Sequence, residues 1–308
     1  MSITISGGIS FSGGVGITAP PLGIRAIFGY GAGDGTYPLV TNLVSNTGVV
    51  APDTTVVGTG RQQLAAAGYG TDKAIFGYGY TNTWVSMTNL VSNAGTVATD
   101  TTGVGTARYG LAAAGYGTDK AIFGYGGSSS RLSMTNLVSN TGVVAIDTTG
   151  VGSARYNPAA ACYGTDKAIF GYGDGGGNQS MTNLVSNTGV VATDTTGVGT
   201  ARSYLAAAGY GTDKAIFGYG YTTTAVSITN LVSNTGVVAT NTGGVNTGRR
   251  NLAAAGYSTD KAIFGYGLNT SGAFVSITNL VNNTGVVASD TTGVGTVRSD
   301  LAAASYGS

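Results

Sequence analysis

A repeat of 47 residues decides what this chain can fold into. The hexapeptide Ala-Ile-Phe-Gly-Tyr-Gly occurs six times, at spacings of 48, 47, 47, 47 and 47 residues. The copies begin at Ala26, Ala74, Ala121, Ala168, Ala215 and Ala262. Such a period accommodates four short strands with their turns, as in one blade of a β-propeller, and is too long for one turn of a β-helix. The repeat therefore predicts an all-β propeller with six blades.

Within one unit, turn sequences separate four segments that we predict to be strands. These segments are residues 111–116, 120–125, 133–139 and 143–149. Gly-Thr-Asp, a variable Gly/Ser/Thr segment and Asn-Thr-Gly lie between them, and all three are typical of turns. The first strand is almost all Ala and Gly, which suits the crowded axis of a propeller. The second carries Ile, Phe and Tyr on both faces, as expected where a blade packs between two neighbours.

The two ends of the repeat pattern predict how the ring closes. The pattern starts at residues 23–26 with a second strand and ends at residues 301–306 with a first strand. Pairing of the last segment with the first blade would complete that blade and remove open sheet edges. We expect residues 22–308 to form one closed propeller of six four-stranded blades, and residues 1–21 to be a separate N-terminal arm.

Composition argues against most catalytic chemistry. The chain has no His and no Glu, and all 13 of its acidic residues are Asp. Histidine triads, His metal sites and Glu-dependent acid–base catalysis are therefore excluded. Propeller glycosidases that use Tyr and Asp break their symmetry at the axis, where this chain is monotonous. We expect no enzymatic activity and no cofactor; a Ca²⁺ site built from Asp and backbone carbonyls stays open, although no EF-hand-like spacing is present.

Charge and hydropathy limit the partners. The net charge of +1 provides no cluster of Lys and Arg for nucleic acid or an anionic membrane. The N-terminus lacks a basic region followed by a continuous apolar region, so we predict no signal peptide. No apolar run reaches 18 residues, so we predict no membrane insertion.

The order of features within a unit resembles the kelch repeat over about residues 22–308. That order is Arg, two free positions, a small-residue strand and an apolar strand ending in a Gly motif. Kelch units usually carry Gly-Gly where this chain has Gly-Tyr-Gly, and Trp where it has Val143-Val144. The segments RYGLAAAGYGTDKAIFGYG and ITISGGISFSGG also resemble repeat-bearing structural and tail-fibre proteins of tailed bacteriophages, including cyanophages. The resemblance implies a virion protein that is exposed on the particle.

The arm at residues 1–21 fits such an assembly. Ile and Phe alternate with Gly and Ser, and the segment stops at Pro20-Pro21. It has too little apolar area to fold alone, so we expect it to add a strand to a neighbouring subunit or to another virion protein. The alternative is a floppy tail.

Two segments vary among the six units while the rest barely changes. One follows Gly-Tyr-Gly, and the other is the pair of residues after each repeat Arg. The first set comprises residues 32–38, 80–85, 127–132, 174–179, 221–226 and 268–275. The second set comprises residues 62–63, 109–110, 156–157, 203–204, 250–251 and 299–300. In an up-and-down meander both connections emerge at the same end of the strands, so we expect both sets on one face.

Aromatic residues concentrate in these variable segments. Of the 18 Tyr residues, 12 hold fixed repeat positions and the other six are all in variable segments. Tyr combined with Ser, Gly, Thr and Asn is typical of recognition loops, and aromatic rings stack on sugars, so glycan is the ligand class that we favour. The candidate ligand-binding residues are Tyr37, Tyr80, Trp84, Tyr109, Arg131, Tyr156, Tyr204, Tyr221 and Phe274. The alternative is that unconstrained loops drift and that Tyr is common in them.

The remaining repeated polar residues have structural interpretations. We expect the six repeat arginines to hydrogen-bond backbone carbonyls or nearby Asp residues between blades, rather than to form an anion-binding ring. Those arginines are Arg61, Arg108, Arg155, Arg202, Arg249 and Arg298. Asp-Lys turns such as Asp119-Lys120 are expected to be solvated pairs that contribute little. Cys162 is expected to be a small residue in a tight inner strand.

These observations support one functional hypothesis and two alternatives. The hypothesis is a non-enzymatic phage virion structural protein, a tail-fibre or appendage subunit with a receptor-binding loop face. The alternatives are a head or neck decoration protein without a ligand, and a free carbohydrate-binding lectin. A homo-oligomer is also possible.

Overall fold

A computed structural model describes residues 24–244 and 246–307, and this part of the chain is all-β. It contains 21 strands and no helix, and therefore no helix that could span a membrane. The predicted arm at residues 1–21 lies outside the described residues.

Small antiparallel sheets, one for each repeat unit, make up the fold. Five sheets have three strands, one has four, and an additional pair of two-residue strands forms a seventh sheet. The first strands of the units are β4 (Ala65–Tyr69), β7 (Ala112–Tyr116), β10 (Ala159–Tyr163), β13 (Ala206–Tyr210), β17 (Ala253–Tyr257) and β21 (Ala302–Tyr306). The second strands are β1 (Arg25–Gly29), β5 (Lys73–Tyr80), β8 (Lys120–Gly124), β11 (Lys167–Gly171), β14 (Lys214–Gly218) and β18 (Lys261–Gly265). The third strands are β2 (Val40–Val44), β6 (Trp84–Val91), β9 (Thr135–Val138), β12 (Thr182–Val185), β15 (Thr229–Val232) and β20 (Thr278–Val281). The short strands are β3 (Thr54–Thr55), β16 (Arg249–Arg250) and β19 (Leu268–Asn269).

The prediction of a regular fourth strand is wrong in most units. Residues 143–149 form only isolated bridges, in which Val144 and Thr148 pair with the third strand. Between these bridges the Asn136 side chain donates to the Ala145 carbonyl (3.0 Å) and to Asp147 (2.9 Å), and Asn42 makes the equivalent hydrogen bonds in the first unit. A fourth strand forms only in the first unit, where β3 pairs with β2. Side-chain hydrogen bonds thus accompany the backbone pairing of this segment.

The last strand pairs with the first, as the repeat pattern predicts. β21 lies antiparallel to β1, with Arg25 opposite Tyr306 and Gly29 opposite Ala302. The first strands also contact one another in succession. β4 contacts β7, β7 contacts β10, β10 contacts β13, β13 contacts β17, β17 contacts β21, and β21 contacts β4. The succession of first strands therefore returns to its starting point.

Each sheet packs on the next through the second strands. The Ile and Phe of the repeated hexapeptide are completely buried in all six units. The Tyr of one unit packs edge-on against the Phe of the next, for example Tyr78 against Phe123, with ring centroids 5.1 Å apart. The last unit meets the first in the same way, because Tyr266 packs on Phe28 at 5.1 Å. Aromatic pairs of this geometry contribute roughly 0.5–1.5 kcal/mol each beyond the area that they bury.

The repeat arginines join adjacent sheets and are completely buried. Arg108 lies over the Tyr78 ring of one unit, 4.3 Å from its centroid. Its guanidinium donates to the Tyr125 carbonyl (3.0 Å) and to Asn136 Oδ1 (2.7 Å) of the next unit, and to the Thr106 carbonyl (3.1 Å). The predicted structural role through backbone carbonyls is confirmed.

The Asp that we expected beside an arginine lies near it, but it is not the closest side-chain partner. Asp147 lies 3.9 Å from Arg108 and accepts closer hydrogen bonds from the Thr106 hydroxyl (2.7 Å) and from Asn136 (2.9 Å). The direct side-chain partner of each arginine is the buried Asn of the third strand. The sequence held a signal for this role, since a Thr-Asn-Leu-Val segment occurs in every unit.

Candidate binding face

Backbone pairing brings the two sets of variable segments together. The residue after each repeat Arg forms an antiparallel bridge with the segment that follows Gly-Tyr-Gly, for example Gln62 with Tyr80, Tyr109 with Gly127 and Tyr156 with Asp174. Tyr and Gly of Gly-Tyr-Gly both adopt left-handed backbone, as at Tyr78 (φ 61°) and Gly79 (φ 112°). This conformation makes a bulge in the second strand, and the bulge allows the bridge to form. We call the surface formed by both sets of variable segments the variable face.

Three candidate tyrosines form a continuous row on the variable face. The ring centroids of Tyr80 and Tyr109 are 6.1 Å apart, and those of Tyr109 and Tyr156 are 5.4 Å apart. The three residues come from successive units and are half-buried, so their rings are held in place while one side meets solvent. We call Tyr80, Tyr109 and Tyr156 the tyrosine row.

A charged pair extends the tyrosine row. The Arg131 guanidinium lies 5.4 Å from the centroid of the Tyr156 ring and 3.2 Å from the Asp174 carboxylate. Asp174 also accepts from the backbone amides of Gly176 (2.8 Å) and Gly177 (2.9 Å). Burial by itself would raise the pKa of Asp174, but the hydrogen bonds from these amides and from Arg131 hold it below its ordinary value. The row therefore ends in an ionised pair that can hydrogen-bond a polar ligand.

The remaining candidate residues do not join the row. Tyr221 lies under Arg250, whose guanidinium is 4.7 Å from its ring centroid. Trp84 is 40% exposed and pairs across its hairpin with Tyr80, while Phe274 bridges to Leu268 and Tyr37 is half-buried in its own loop. In the part of the chain that the structure describes, no ring contact joins the tyrosine row to Trp84, Phe274 or Tyr37.

Tyr204 lies with Asp300 at the centre of the variable face. Burial raises its pKa, and the neighbouring Asp300, Asp174 and Tyr109 raise it further. It is the second residue after its repeat Arg, and the equivalent residue in every unit has left-handed backbone with φ between 50° and 61°. These six residues are Gln63, Gly110, Asn157, Tyr204, Asn251 and Asp300.

The same six residues form a closed circle of main-chain hydrogen bonds. Each amide donates to the carbonyl of the equivalent residue in the preceding unit, for example Gly110 to Gln63 (2.9 Å) and Asp300 to Asn251 (2.9 Å). The amide of Gln63 donates to the carbonyl of Asp300 (2.8 Å), which completes the circle. We call this the main-chain ring. Its members are 47 to 49 residues apart in sequence, so no local pattern indicates that they meet.

The opposite ends of the strands carry the turns that barely change among the units. Each Lys there pairs with the Asp that precedes it, at 2.7–2.9 Å, and the Lys side chains are 41–44% exposed. Such exposed pairs contribute little to stability, in agreement with the sequence-based expectation. A cavity of about 290 Å³ opens among these turns, and Cys162 of β10 lines it. The Cys162 side chain is exposed to this cavity, and the surrounding protein desolvates the thiol and raises its pKa. We call the surface formed by these nearly unchanged turns the constant face.

Neither face shows a cluster typical of a metal site. In residues 24–244 and 246–307, no group of three or more His, Cys, Asp or Glu side chains is placed to hold a metal ion.

Comparison with known proteins gave no match, either among protein-family models or among curated proteins.

Proposed function

We propose that residues 22–308 form a closed six-bladed β-propeller. Three independent sets of contacts support this proposal, because each runs from unit to unit and then from the last unit to the first. They are the contacts among the first strands, the Tyr–Phe pairs and the main-chain ring. Closure removes the exposed sheet edges that would otherwise promote aggregation.

We propose further that the variable face binds a glycan and that the chain is a non-enzymatic structural protein of a phage virion. The tyrosine row carries the binding proposal. Its rings are pre-positioned by packing, they are partly exposed, and they end at the Arg131–Asp174 pair. Flat aromatic surfaces stack on the apolar faces of sugars, while charged groups beside them bind hydroxyls.

The contrast between the two faces supports the same proposal. All units share one architecture, yet residues change on the variable face and stay nearly identical on the constant face. Rigid Tyr rings with small polar neighbours are typical of surfaces that are diversified for recognition. The assignment to a virion, in a tail fibre or appendage, rests on the resemblance to phage repeat proteins.

Binding of the purified full chain to an array of bacterial envelope glycans tests this function. We expect the variant Tyr109→Ala/Tyr156→Ala to lose roughly tenfold or more in affinity, since each stacked ring contributes on the order of 1 kcal/mol. The control Val190→Ser changes a side chain that is 66% exposed next to the constant turns, and it should bind normally. Equal binding by the double variant and the control would contradict the proposal.

Deletion of residues 2–21 tests the virion assignment separately. We expect the shortened chain to fold and to bind its glycan but to be absent from assembled particles. Normal incorporation would contradict a role of the arm in attachment, and absence of the intact protein from particles would favour a free lectin.

A further inference from the structure

The centre of the variable face contains a small well. Its volume is about 100 Å³, and the main-chain ring forms its rim. The next residue in every unit is apolar and lies below the rim. These floor residues are Leu64, Leu111, Pro158, Leu205, Leu252 and Leu301. The well therefore combines a polar rim with an apolar floor.

The polar groups that remain free at the rim are side chains. Backbone N–H and C=O groups of the main-chain ring bond to one another around the circle. Asp300 accepts from the Asn251 amide and from the Ser299 hydroxyl (2.8 Å). A carboxylate has about four lone-pair sites, so Asp300 can accept a further N–H or O–H from a ligand. Asn157 adds an amide that can donate to a ligand carbonyl.

The floor selects the kind of ligand group that fits. The five leucines are each 5–6% exposed, so their side chains offer a small apolar surface at the bottom of the well. A bare hydroxyl placed there would lose its hydrogen bonds to water without gaining a partner. A methyl group gains from contact with such a floor, and an amide above the methyl would meet the polar rim.

We propose that the well binds the acetamido group of an N-acetylated amino sugar. The methyl group contacts the leucine floor, the N–H donates to Asp300, and the carbonyl accepts from a rim amide. A water-sized group requires on the order of 10–15 Å³, so the well accommodates the four heavy atoms of an acetamido group. The sugar ring then lies beside Tyr204, which also lines the well. This inference rests on the proposed glycan-binding function and names its specificity.

Titration calorimetry of the full chain with N-acetylglucosamine and with glucose tests the inference. The two sugars differ only in the group at one carbon, so their ratio of affinities reports the well. We expect N-acetylglucosamine to bind at least tenfold more tightly than glucose. In Asp300→Asn we expect the affinity for N-acetylglucosamine to fall about tenfold and to approach that for glucose, because an amide nitrogen that cannot accept a hydrogen bond replaces a carboxyl oxygen. Asp119→Asn, in a turn of the constant face, is the matched control and should leave both affinities unchanged.

The outcomes separate the inference from the function on which it rests. Equal affinities for the two sugars, or an Asp300→Asn variant that keeps the preference, would overturn the acetamido site while glycan binding elsewhere on the face still stood. Failure of both sugars and of the whole glycan array to bind would overturn the proposed function itself. The comparison of the two sugars on the unmodified protein holds even if Asp300→Asn is unstable.

Discussion

Each buried arginine stabilises the boundary between two units because its guanidinium has several fixed partners at once. Arg202 donates to the Tyr219 carbonyl (2.7 Å), to the Thr200 carbonyl (3.1 Å) and to Asn230 Oδ1 (2.8 Å). It also lies 4.3 Å from the centroid of the Tyr172 ring. Lysine cannot reproduce this planar fork of donors, so the residue type is essential at this position.

We therefore predict that Arg202→Lys lowers the free energy of unfolding by roughly 2–4 kcal/mol, through lost charged hydrogen bonds and an incompletely paired buried charge. Urea unfolding at neutral pH measures the change. Arg131→Lys is the control, because Arg131 is exposed and its ion pair is on the surface, where a change within about 0.5 kcal/mol is expected. Similar effects of the two substitutions would contradict the structural role of the buried arginines.

Asn241 provides a natural test of the repeated aspartates. It occupies the position of Asp194 and contacts Thr200 as Asp194 contacts Ser153. Burial would raise the pKa of Asp194, but hydrogen bonds from Ser153 and Asn183 and the charge of Arg155 hold it below its ordinary value. A carboxylate with a lowered pKa stabilises the fold above the unfolded pKa of about 4 and loses that contribution as the pH falls further.

Asn241→Asp should therefore raise the free energy of unfolding by roughly 0.5–1 kcal/mol at pH 7, and the gain should disappear below about pH 4. Asp194→Asn should produce the reverse change over the same pH range. Chemical unfolding at pH 7 and at pH 3 measures both variants. A gain from Asn241→Asp that is the same at both pH values would rule out an ionised carboxylate as its cause.

At the scale of the strand and turn, four threonines have a backbone that Thr rarely adopts. Thr71, Thr118, Thr165 and Thr212 have φ between 67° and 69° in the turn after the first strand. A β-branched side chain is strained in this region, whereas Asn tolerates it. The strain is repeated in four units, so it is a property of this turn and not of one site.

Thr118→Asn is accordingly predicted to stabilise the protein by roughly 0.5–1 kcal/mol, by relieving strain in the folded state. Thr193→Asn serves as the control, because Thr193 is exposed and lacks left-handed backbone. Thermal unfolding of both variants measures the difference. A destabilised Thr118→Asn would show that the Thr side chain makes a contribution larger than the backbone strain.

The sequence predicts the first three strands well because turn residues flank each of them. It does not predict that the fourth segment forms only isolated bridges in most units, because its pairing is mixed with side-chain hydrogen bonds such as that from Asn136 to the Ala145 carbonyl. The tyrosine row is foreseen only as a set of variable aromatic residues. Which of them meet depends on the placement of neighbouring units, and that placement leaves Tyr37 and Phe274 apart from the row.

At the scale of the whole molecule, the first strand β1 and the last strand β21 are adjacent. Tyr306 pairs with Arg25, as Tyr69 pairs with Lys73 across the first turn of another unit. The gap between the ends is therefore equivalent to one Gly-Thr-Asp turn.

A circular permutant checks this arrangement. Gly-Thr-Asp would join Tyr306 to Arg25, with new ends between the exposed residues Asn140 and Thr141. We expect the permutant to fold with a free energy of unfolding within about 1–2 kcal/mol of the parent, because a short turn closes the same strand pair. The control is a second permutant with the same new ends and an additional linker of about 20 residues between Tyr306 and Arg25. Folding of the control together with failure of the short-turn permutant would contradict the adjacency of the ends.

We propose that the variable face recognises a glycan and that the constant face does not. Hydrogen–deuterium exchange of the intact protein, with and without the best-bound glycan of the array, distinguishes the two faces. We predict slower exchange in residues 80–85, 109–110, 127–132 and 156–157, and no change in the constant turns at residues 70–72, 117–119 and 140–142. Protection of the constant turns with unchanged exchange on the variable face would contradict the account.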